Sequence, residues 1–258
     1  MYRLKAHRIP QRDRNAQGQA IVNLLNLDSS ERIEAIIDTR DYETQRYLFF
    51  VTRNGVVKKT AFNAYDSSRS DGLIAIGLRD GDELVRVMPT SGEDDVLLVT
   101  RDGRGIRFSE SDVRSMGRGA SGVRGIRLLG DDVVVGAGPV ASDDEVLLTV
   151  TDRGYGKRTL MENFSRRGRG GQGVRAHRLS SGRGSMVNAF LVAPDDEVLL
   201  ITDAGVVIRT AVSDISTQGR DASGVRVMNP GDANRVAAVA RVLAPSEDDE
   251  GVCGGRIR

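Results

Sequence analysis

The hydrophobic positions fall in short runs, not in long amphipathic stretches. VLLVT from Val96, VLLTVT from Val146 and VLLIT from Val198 are apolar or β-branched at every position and are bounded by acidic turns. Such a run, without polar alternation, is the pattern of a strand buried on both faces. A T-x-x-G element follows or overlaps each run: TRNGVVKKT from Thr52, TRDGRGIRF from Thr100, TDRGYGKRT from Thr151 and TDAGVVIRT from Thr202. Asn54-Gly55 and Asp102-Gly103 read as hairpin turns at positive φ, which makes VVKKT, GIRF, GKRT and VIRT return strands. Loops then lead to GV-R strands and on to strands such as ELVRVMPT and MVNAFLVA. No long segment has a 3.6-residue period, although SESDVRSM and LMENF fit single helical turns.

These elements recur in one phase. The T-x-x-G glycines Gly55, Gly103, Gly154 and Gly205 are spaced by 48, 51 and 51 residues. A second element, SDGLIAIGL, ASGVRGIRL, GQGVRAHRL and ASGVRVMNP, places Gly72, Gly122, Gly173 and Gly224 at spacings of 50, 51 and 51. An earlier copy, AQGQAIVNL, puts Gly18 54 residues before Gly72. A third element, DDVLLVT, DEVLLTVT and DEVLLIT, keeps the same period. Roughly four short strands per ~50 residues predict an all-β, radial, blade-like array in which neighbouring blades bury a shared core. The chain holds four full repeats and part of one more, because MYRLKAHRIP occupies the return-strand position ahead of Gly18. It is therefore expected to be truncated inside a repeat, with an unpaired edge at one end. Residues 1–245 form the array, and 246–258 read as an acidic, polar, disordered tail.

Composition narrows the chemistry. Among 258 residues are 30 Gly, which suits a turn-rich chain, two His, one Cys and no Trp. A single Cys makes no internal disulfide, and with two separated His it supplies no zinc site. No apolar run approaches the ~18 residues of a membrane span. The first ten residues contain no signal-peptide core. The expectation is a cytoplasmic protein without a membrane partner. Lys+Arg is 37 against 36 Asp+Glu, a net charge of +1, yet the charge is segregated. Glu247, Asp248, Asp249 and Glu250 concentrate four negative charges in the tail, and the window Arg153 to Arg183 holds nine cations opposed only by Glu162.

Two cation series follow the repeat. Return strands carry Lys58 and Lys59, Arg107, Lys157 and Arg158, and Arg209; the loops before the second-element glycines carry Arg14, Arg69, Arg118, Arg169 and Arg220. A lone surface cation is ordinarily a solvating charge. One cation per blade at one position instead predicts a basic perimeter track that neutralises successive phosphates of a polyanion. The acidic pairs Asp94-Asp95, Asp131-Asp132, Asp143-Asp144 and Asp195-Asp196 read as solvent-facing turn formers. The sharpest local feature is Ser165-Arg166-Arg167-Gly168-Arg169-Gly170-Gly171-Gln172-Gly173, where main-chain N–H groups and guanidinium forks can both meet phosphate oxygens. It is neither a P-loop nor a dinucleotide fingerprint. Catalytic constellations are missing. His7 and His177 lie in separate repeats with no nucleophile motif near either, Tyr155 lies in a hairpin and is read as a packing or surface residue, and Cys253 is incidental. The acidic tail suggests either a solubilising segment or a competitor of DNA for the basic track.

IVNLLNLDSSERIEAI, TRNGVVKKT, LRDGDELVRVMPTSGEDDVLLVT, RFSESDVRSMGRGASGVRGIRL and TDRGYGKRT resemble the C-terminal domain of DNA gyrase A over roughly residues 1–243. The resemblance implies a β-pinwheel, a propeller-like disc whose blades exchange a strand with a neighbour and whose basic edge bends and wraps double-stranded DNA. It implies that this chain binds DNA without cutting it, since the cleavage tyrosine and the ATPase lie outside these residues. No cofactor is expected in this chain; ATP and Mg2+ serve the holoenzyme elsewhere. The implied partners are DNA, the rest of gyrase A and the gyrase B protein, at the bacterial chromosome. The family's box, Q-R-R-G-G-K-G, is matched within Arg167–Gly173 at Arg169, Gly170, Gly171 and Gly173, with Gln172 in place of Lys. The expected DNA-binding set is Lys58, Lys59, Arg69, Arg107, Arg118, Lys157, Arg158, Arg166, Arg167, Arg169, Gly170, Gly171, Gln172, Gly173, Arg209 and Arg220. Two alternatives stay open: the C-terminal domain of the A protein of topoisomerase IV, and a propeller-like protein-interaction module with incidental cations.

Overall fold

In the computed structural model the described residues are 1–13, 15–25, 27, 33–39, 46–66 and 72–242, and their regular structure is β-strand with short 3₁₀ turns. Each repeat begins with a hairpin. The four are β1 (Tyr47–Thr52) with β2 (Val56–Ala61), β4 (Asp95–Thr100) with β5 (Arg104–Ser109), β8 (Val146–Thr151) with β9 (Tyr155–Leu160), and β12 (Glu197–Thr202) with β13 (Val207–Ala211). A longer strand pairs on the other side of each first strand: β3 (Leu84–Thr90), β7 (Val134–Val140), β11 (Met186–Val192) and β15 (Val236–Val242). β3, β7, β11 and β15 contact one another in succession and form the inner edges of the blades.

The T-x-x-G element is explained by the hairpin turn. Thr52, Thr100, Thr151 and Thr202 each accept, through Oγ1, the main-chain N–H four residues on, at 3.0–3.2 Å. Each glycine N–H returns to the threonine carbonyl. Gly55, Gly103, Gly154 and Gly205 adopt φ of +74°, +75°, +76° and +79°. No non-glycine described residue has positive φ, so Asn54 and Asp102 do not. The turn therefore ends in one left-handed glycine, and the expected pair of positive-φ residues is not formed.

The outer strand of each blade comes from the next repeat. β6 (Val123–Arg124) completes the sheet β3-β1-β2, β10 (Val174–Arg175) completes β7-β4-β5, and β14 (Val225–Arg226) completes β11-β8-β9. Residues 72–73 do the same for the N-terminal partial repeat: Met1 N donates to the Leu73 carbonyl at 2.7 Å and Leu73 N to the Met1 carbonyl at 2.8 Å. The second-element glycines permit this approach. A Cβ on Gly122, Gly173 or Gly224 would lie 2.4, 2.4 or 2.6 Å from the carbonyl oxygen of Val57, Gly105 or Gly156. Among the described residues, β13 has no strand on its outer side.

The core lies between blades. Phe49, Val51 and Val57 of one blade pack with Leu98, Ile106 and Phe108 of the next, and comparable clusters fill the other gaps. Both faces of β1, β4 and β8 are thus covered, with β4 buried at all six positions, whereas β12 alternates half-buried and buried positions. Each fully buried Leu, Val or Phe contributes about 1.5–3 kcal/mol. The acidic turns depart from expectation in part: Asp131, Asp143, Asp144 and Asp195 are exposed, as expected of solvent-facing turn formers, but the second aspartate of the other three pairs is not. Asp95, Asp132 and Asp196 are buried: Asp132 accepts the N–H groups of Asp102 and Val133, Asp196 that of Ala193, and Asp95 pairs with arginines.

Candidate nucleic-acid interface

The return-strand cations do not form an exposed track. Lys58, Lys59 and Lys157 are buried. Lys58 Nζ donates to the carbonyls of Ala75 at 2.6 Å and Arg118 at 2.5 Å, and Lys157 Nζ to those of Gly219 at 2.6 Å and Arg220 at 2.8 Å. Burial pushes the Lys58 pKa down to about 8; burial, with Arg220 adding to it and Asp221 opposing it, does the same for Lys157.

The cation four residues after Gly55, Gly103 and Gly154 joins two repeats. Lys59 Nζ donates to the Glu110 carbonyl at 2.9 Å. Arg107 binds the Asp95 carboxylate at 2.7 Å, Asp143 at 2.5 Å and the Met161 and Phe164 carbonyls. Arg158 donates to the Ile215 and Ser213 carbonyls. In each case the acceptors include the 3₁₀ turn of the following repeat, so recurrence in register reflects blade-to-blade tethering. Lys58, Lys59, Lys157, Arg107 and Arg158 are therefore corrected from phosphate contacts to structural cations. Arg209 is exposed and pairs with Glu197 of its own blade.

Exposed positive charge lies instead on the loops and the donated strands. Arg118, Arg166, Arg167 and Arg169 are exposed and Arg220 is half-buried. Arg166 pairs with Asp95 at 2.8 Å. Arg169 donates to the Asp112 carbonyl at 2.9 Å and the Arg124 carbonyl at 3.0 Å, which seats its loop on the preceding repeat. Gly170 N donates to the Gly125 carbonyl at 2.6 Å, and the Gly171 carbonyl accepts Arg127 N at 2.8 Å. Gly170 at φ +80° and Gly173 at φ +68° allow the loop to fold down. Gln172 is exposed, and its carbonyl accepts Arg104 Nε at 3.0 Å. Arg14, Arg69 and the tail 246–258 lie outside the described residues.

Sequence reasoning missed the exposed Arg124, Arg175 and Arg226, one on each donated outer strand. Their signal was present as the arginine of GVR, repeated every 51 residues. Arg124 and Arg127 are exposed and adjoin the Arg166–Gly173 loop, the Arg124 carbonyl accepting Arg169 and Arg127 N donating to the Gly171 carbonyl. Arg175 and Arg178 converge on Asp221, both at 2.6 Å. The arrangement offers charge-assisted donors at an outer rim.

The chain matches the family described as "DNA gyrase C-terminal domain, beta-propeller" in five segments, residues 1–39, 46–91, 94–141, 145–193 and 196–242. It belongs to this family. DNA gyrase A of Salmonella typhimurium (strain LT2) is 43% identical over 250 residues, covering 97% of this chain and 28% of that protein. DNA gyrase A of Mycolicibacterium smegmatis (strain ATCC 700084) is 43% identical over 254 residues, with 98% and 30% covered. The chain thus spans under a third of the length of these curated relatives. Among solved structures, the C-terminal domain of DNA topoisomerase IV superposes with TM-score 0.83 at 31% identity, covering 90% of this chain and 73% of that one. A DNA gyrase A C-terminal domain superposes with TM-score 0.75 at 30% identity, covering 88% and 76%.

Two further side chains join repeats of this chain, one at its surface and one buried. Tyr155 lies between Arg183, 4.5 Å from its ring centroid, and Arg226 at 5.1 Å, and its hydroxyl accepts an Arg226 N–H at 2.8 Å. That hydrogen bond, with the two positive charges, lowers the phenol pKa. The ring orders an outer-strand arginine, as expected of a surface contact. His177 is buried, with Nδ1 3.0 Å from Thr149 Oγ1 and Nε2 3.1 Å from the Ser223 carbonyl. Burial, reinforced by Lys157 and Arg183, pushes its pKa down to about 4. His177 is thus a neutral joint between repeats. No helix among the described residues is long and apolar enough to cross a membrane.

Proposed function

We propose that this chain binds double-stranded DNA along its outer rim through phosphate contacts and wraps it. In doing so it supports ATP-dependent negative supercoiling by a gyrase, a type II topoisomerase assembled from gyrase A, which would include this domain, and gyrase B. The observation that carries this reading is the exposed arginine rim: Arg124, Arg175 and Arg226 on successive outer strands, thickened at Arg118, Arg127, Arg166, Arg167 and Arg169, with Arg220 half-buried beside it. Cations on the convex edge of a disc neutralise one side of a duplex, and the gain in contacts offsets the elastic cost of bending. Phosphate contacts carry no base code, so sequence preference is weak and bendability matters more. In this reading strand cleavage and the ATP and Mg2+ chemistry take place elsewhere in the holoenzyme, and the chain works in the cytoplasm at the chromosome.

A nicked plasmid ligated shut with the protein bound, then deproteinised, tests the wrap. A linking-number shift that grows with protein and disappears at high salt is expected. No shift where binding is confirmed would reduce the chain to a contact surface, the behaviour we assign to the second reading, a topoisomerase IV-type domain. That reading is favoured only by the TM-score of 0.83. Reversing Arg166, Arg167 and Arg169 to Glu should weaken binding strongly and flatten the salt slope by up to ~0.9 per contact; unchanged affinity and slope would refute the loop's role.

A further inference from the structure

Lys58 and Lys157 bury an ammonium group at a position where the other two hairpins carry an apolar side chain. At their register in the other two hairpins stand Ile106 and Ile208, and Ile106 is buried in the same kind of blade-to-blade core. Lys59 has Glu110 at 3.7 Å, whereas among the described residues no carboxylate forms an ion pair with Lys58 or Lys157. Asp221, whose field reaches Lys157, is bound to Arg175 and Arg178. An apolar side chain fits this register in two repeats, so the hairpin alone does not account for these ammonium groups.

Their acceptors do. Both lysines reach out of their own repeat to the loop ahead of the next second-element glycine. Besides the carbonyl of Ala75 or Gly219, each binds the main-chain carbonyl of an arginine, the exposed Arg118 or the half-buried Arg220. The intervening repeat has Ile106 instead. All three loops share one main-chain bond to the return strand, from Met116 N, Arg167 N or Gln218 N, and Ser165–Gly173 is held in addition by Gly170 N on the Gly125 carbonyl and by the Arg169 guanidinium. We infer that Lys58 and Lys157 are positioning residues for phosphate contact, each clamping from the preceding blade the backbone that presents Arg118 or Arg220. Two kinds of contact loop then alternate around the rim: lysine-clamped loops with one arginine, and a glycine-rich loop with three. This inference rests on the DNA-binding reading above.

The test uses the 258-residue chain with Lys58→Ile and Lys157→Ile together, a fluorescent linear duplex, and thermal melting as the control for folding. The variant should still melt cooperatively, at a temperature lowered by the loss of two ammonium–carbonyl hydrogen bonds at each site. Its log-log salt slope should be shallower by up to ~1.8, two contacts' worth. Equivalently, a fourfold rise in salt should weaken the native chain up to roughly 12-fold more than the variant. In a background of Arg118→Ala and Arg220→Ala, the same lysine changes should cost less than about twofold, because the side chains they position are gone. Native affinity and slope in the Ile variant would overturn the inference, as would a loss undiminished in the arginine-free background. A variant that failed to fold would refute the premise that an apolar side chain fits this register. If the native chain showed no salt-sensitive binding, the DNA reading itself would fall, and the Arg166, Arg167 and Arg169 reversals would then have no effect to remove.

Discussion

Replacing Arg107 by Met removes a guanidinium that spans two blades while keeping an unbranched side chain. In the native chain its Nε is 2.7 Å from Asp95, whose carboxylate is 1% exposed, and its Nη1 is 2.5 Å from the exposed Asp143. Removing one partner of a buried pair costs about 3–5 kcal/mol, because the remaining charge is left uncompensated. Two features soften that figure. Arg166 stays on Asp95 at 2.8 Å, though it is 62% exposed, and Asp143 returns to water at little cost. A loss of about 2–3 kcal/mol is expected, which lowers the urea midpoint by about 1 M. Adding Asp95→Asn should recover a substantial part of it, since the stranded charge disappears. Measured beside it, duplex affinity at fixed salt should change by no more than about twofold, through Arg166 alone. The contrary result is an unchanged urea midpoint with affinity down about tenfold and about 0.9 lost from the salt slope. That outcome would return Arg107 to the phosphates.

Acid should loosen the array through His177. Its pKa is about 4 when folded against 6.5 for the ordinary side chain, so the unfolded chain takes up a proton that the folded chain refuses. Stability present above pH 6.5 is then lost as pH falls toward about 4, by up to about 3 kcal/mol. A His177→Gln chain with the same pH dependence of unfolding between 6.5 and 4 would show the joint to be elsewhere. Gly154→Ala and Gly205→Ala form a matched pair at φ +76° and +79°. At Gly205 a Cβ meets nothing within 4 Å, and only conformational strain of about 1–2 kcal/mol is expected. At Gly154 it would lie 2.1 Å from the Met228 carbonyl beside the donated strand, and the loss should exceed the Gly205 value by about 2 kcal/mol or more. Equal melting temperatures for the two would refute that packing.

The period, the hairpins and the all-β class were legible because one physical demand recurs in each repeat: Thr, left-handed Gly and a run buried on both faces. The role of the return-strand cations was not. A cation in VVKKT reads as exposed only if one face of that strand is free, and β2 is buried at five of its six positions. What covers it belongs to the next repeat: Glu110, Arg118 and β6. Composition and spacing within one repeat carry no trace of that neighbour, and strand exchange was visible only through family resemblance. The acidic turns were misread for the same reason, since Asp95 looks solvated until Arg107 and Arg166 are placed on it. Arg124, Arg175 and Arg226 could have been found, because they keep the 51-residue period. Attention to return strands and loops left the GVR arginines unused.

Strand donation also has a consequence in time. Val57 pairs with Val123, Gly105 with Val174 and Gly156 with Val225, so each of these sheets is closed by residues made well after its own hairpin. A chain leaving the ribosome from its N-terminus always carries one open-sided hairpin at its growing front, sealed only when the next repeat emerges. Assembly is then vectorial, each unit licensing the one before it. The vulnerable moment, when an unpaired strand edge can capture another chain, recurs once per repeat.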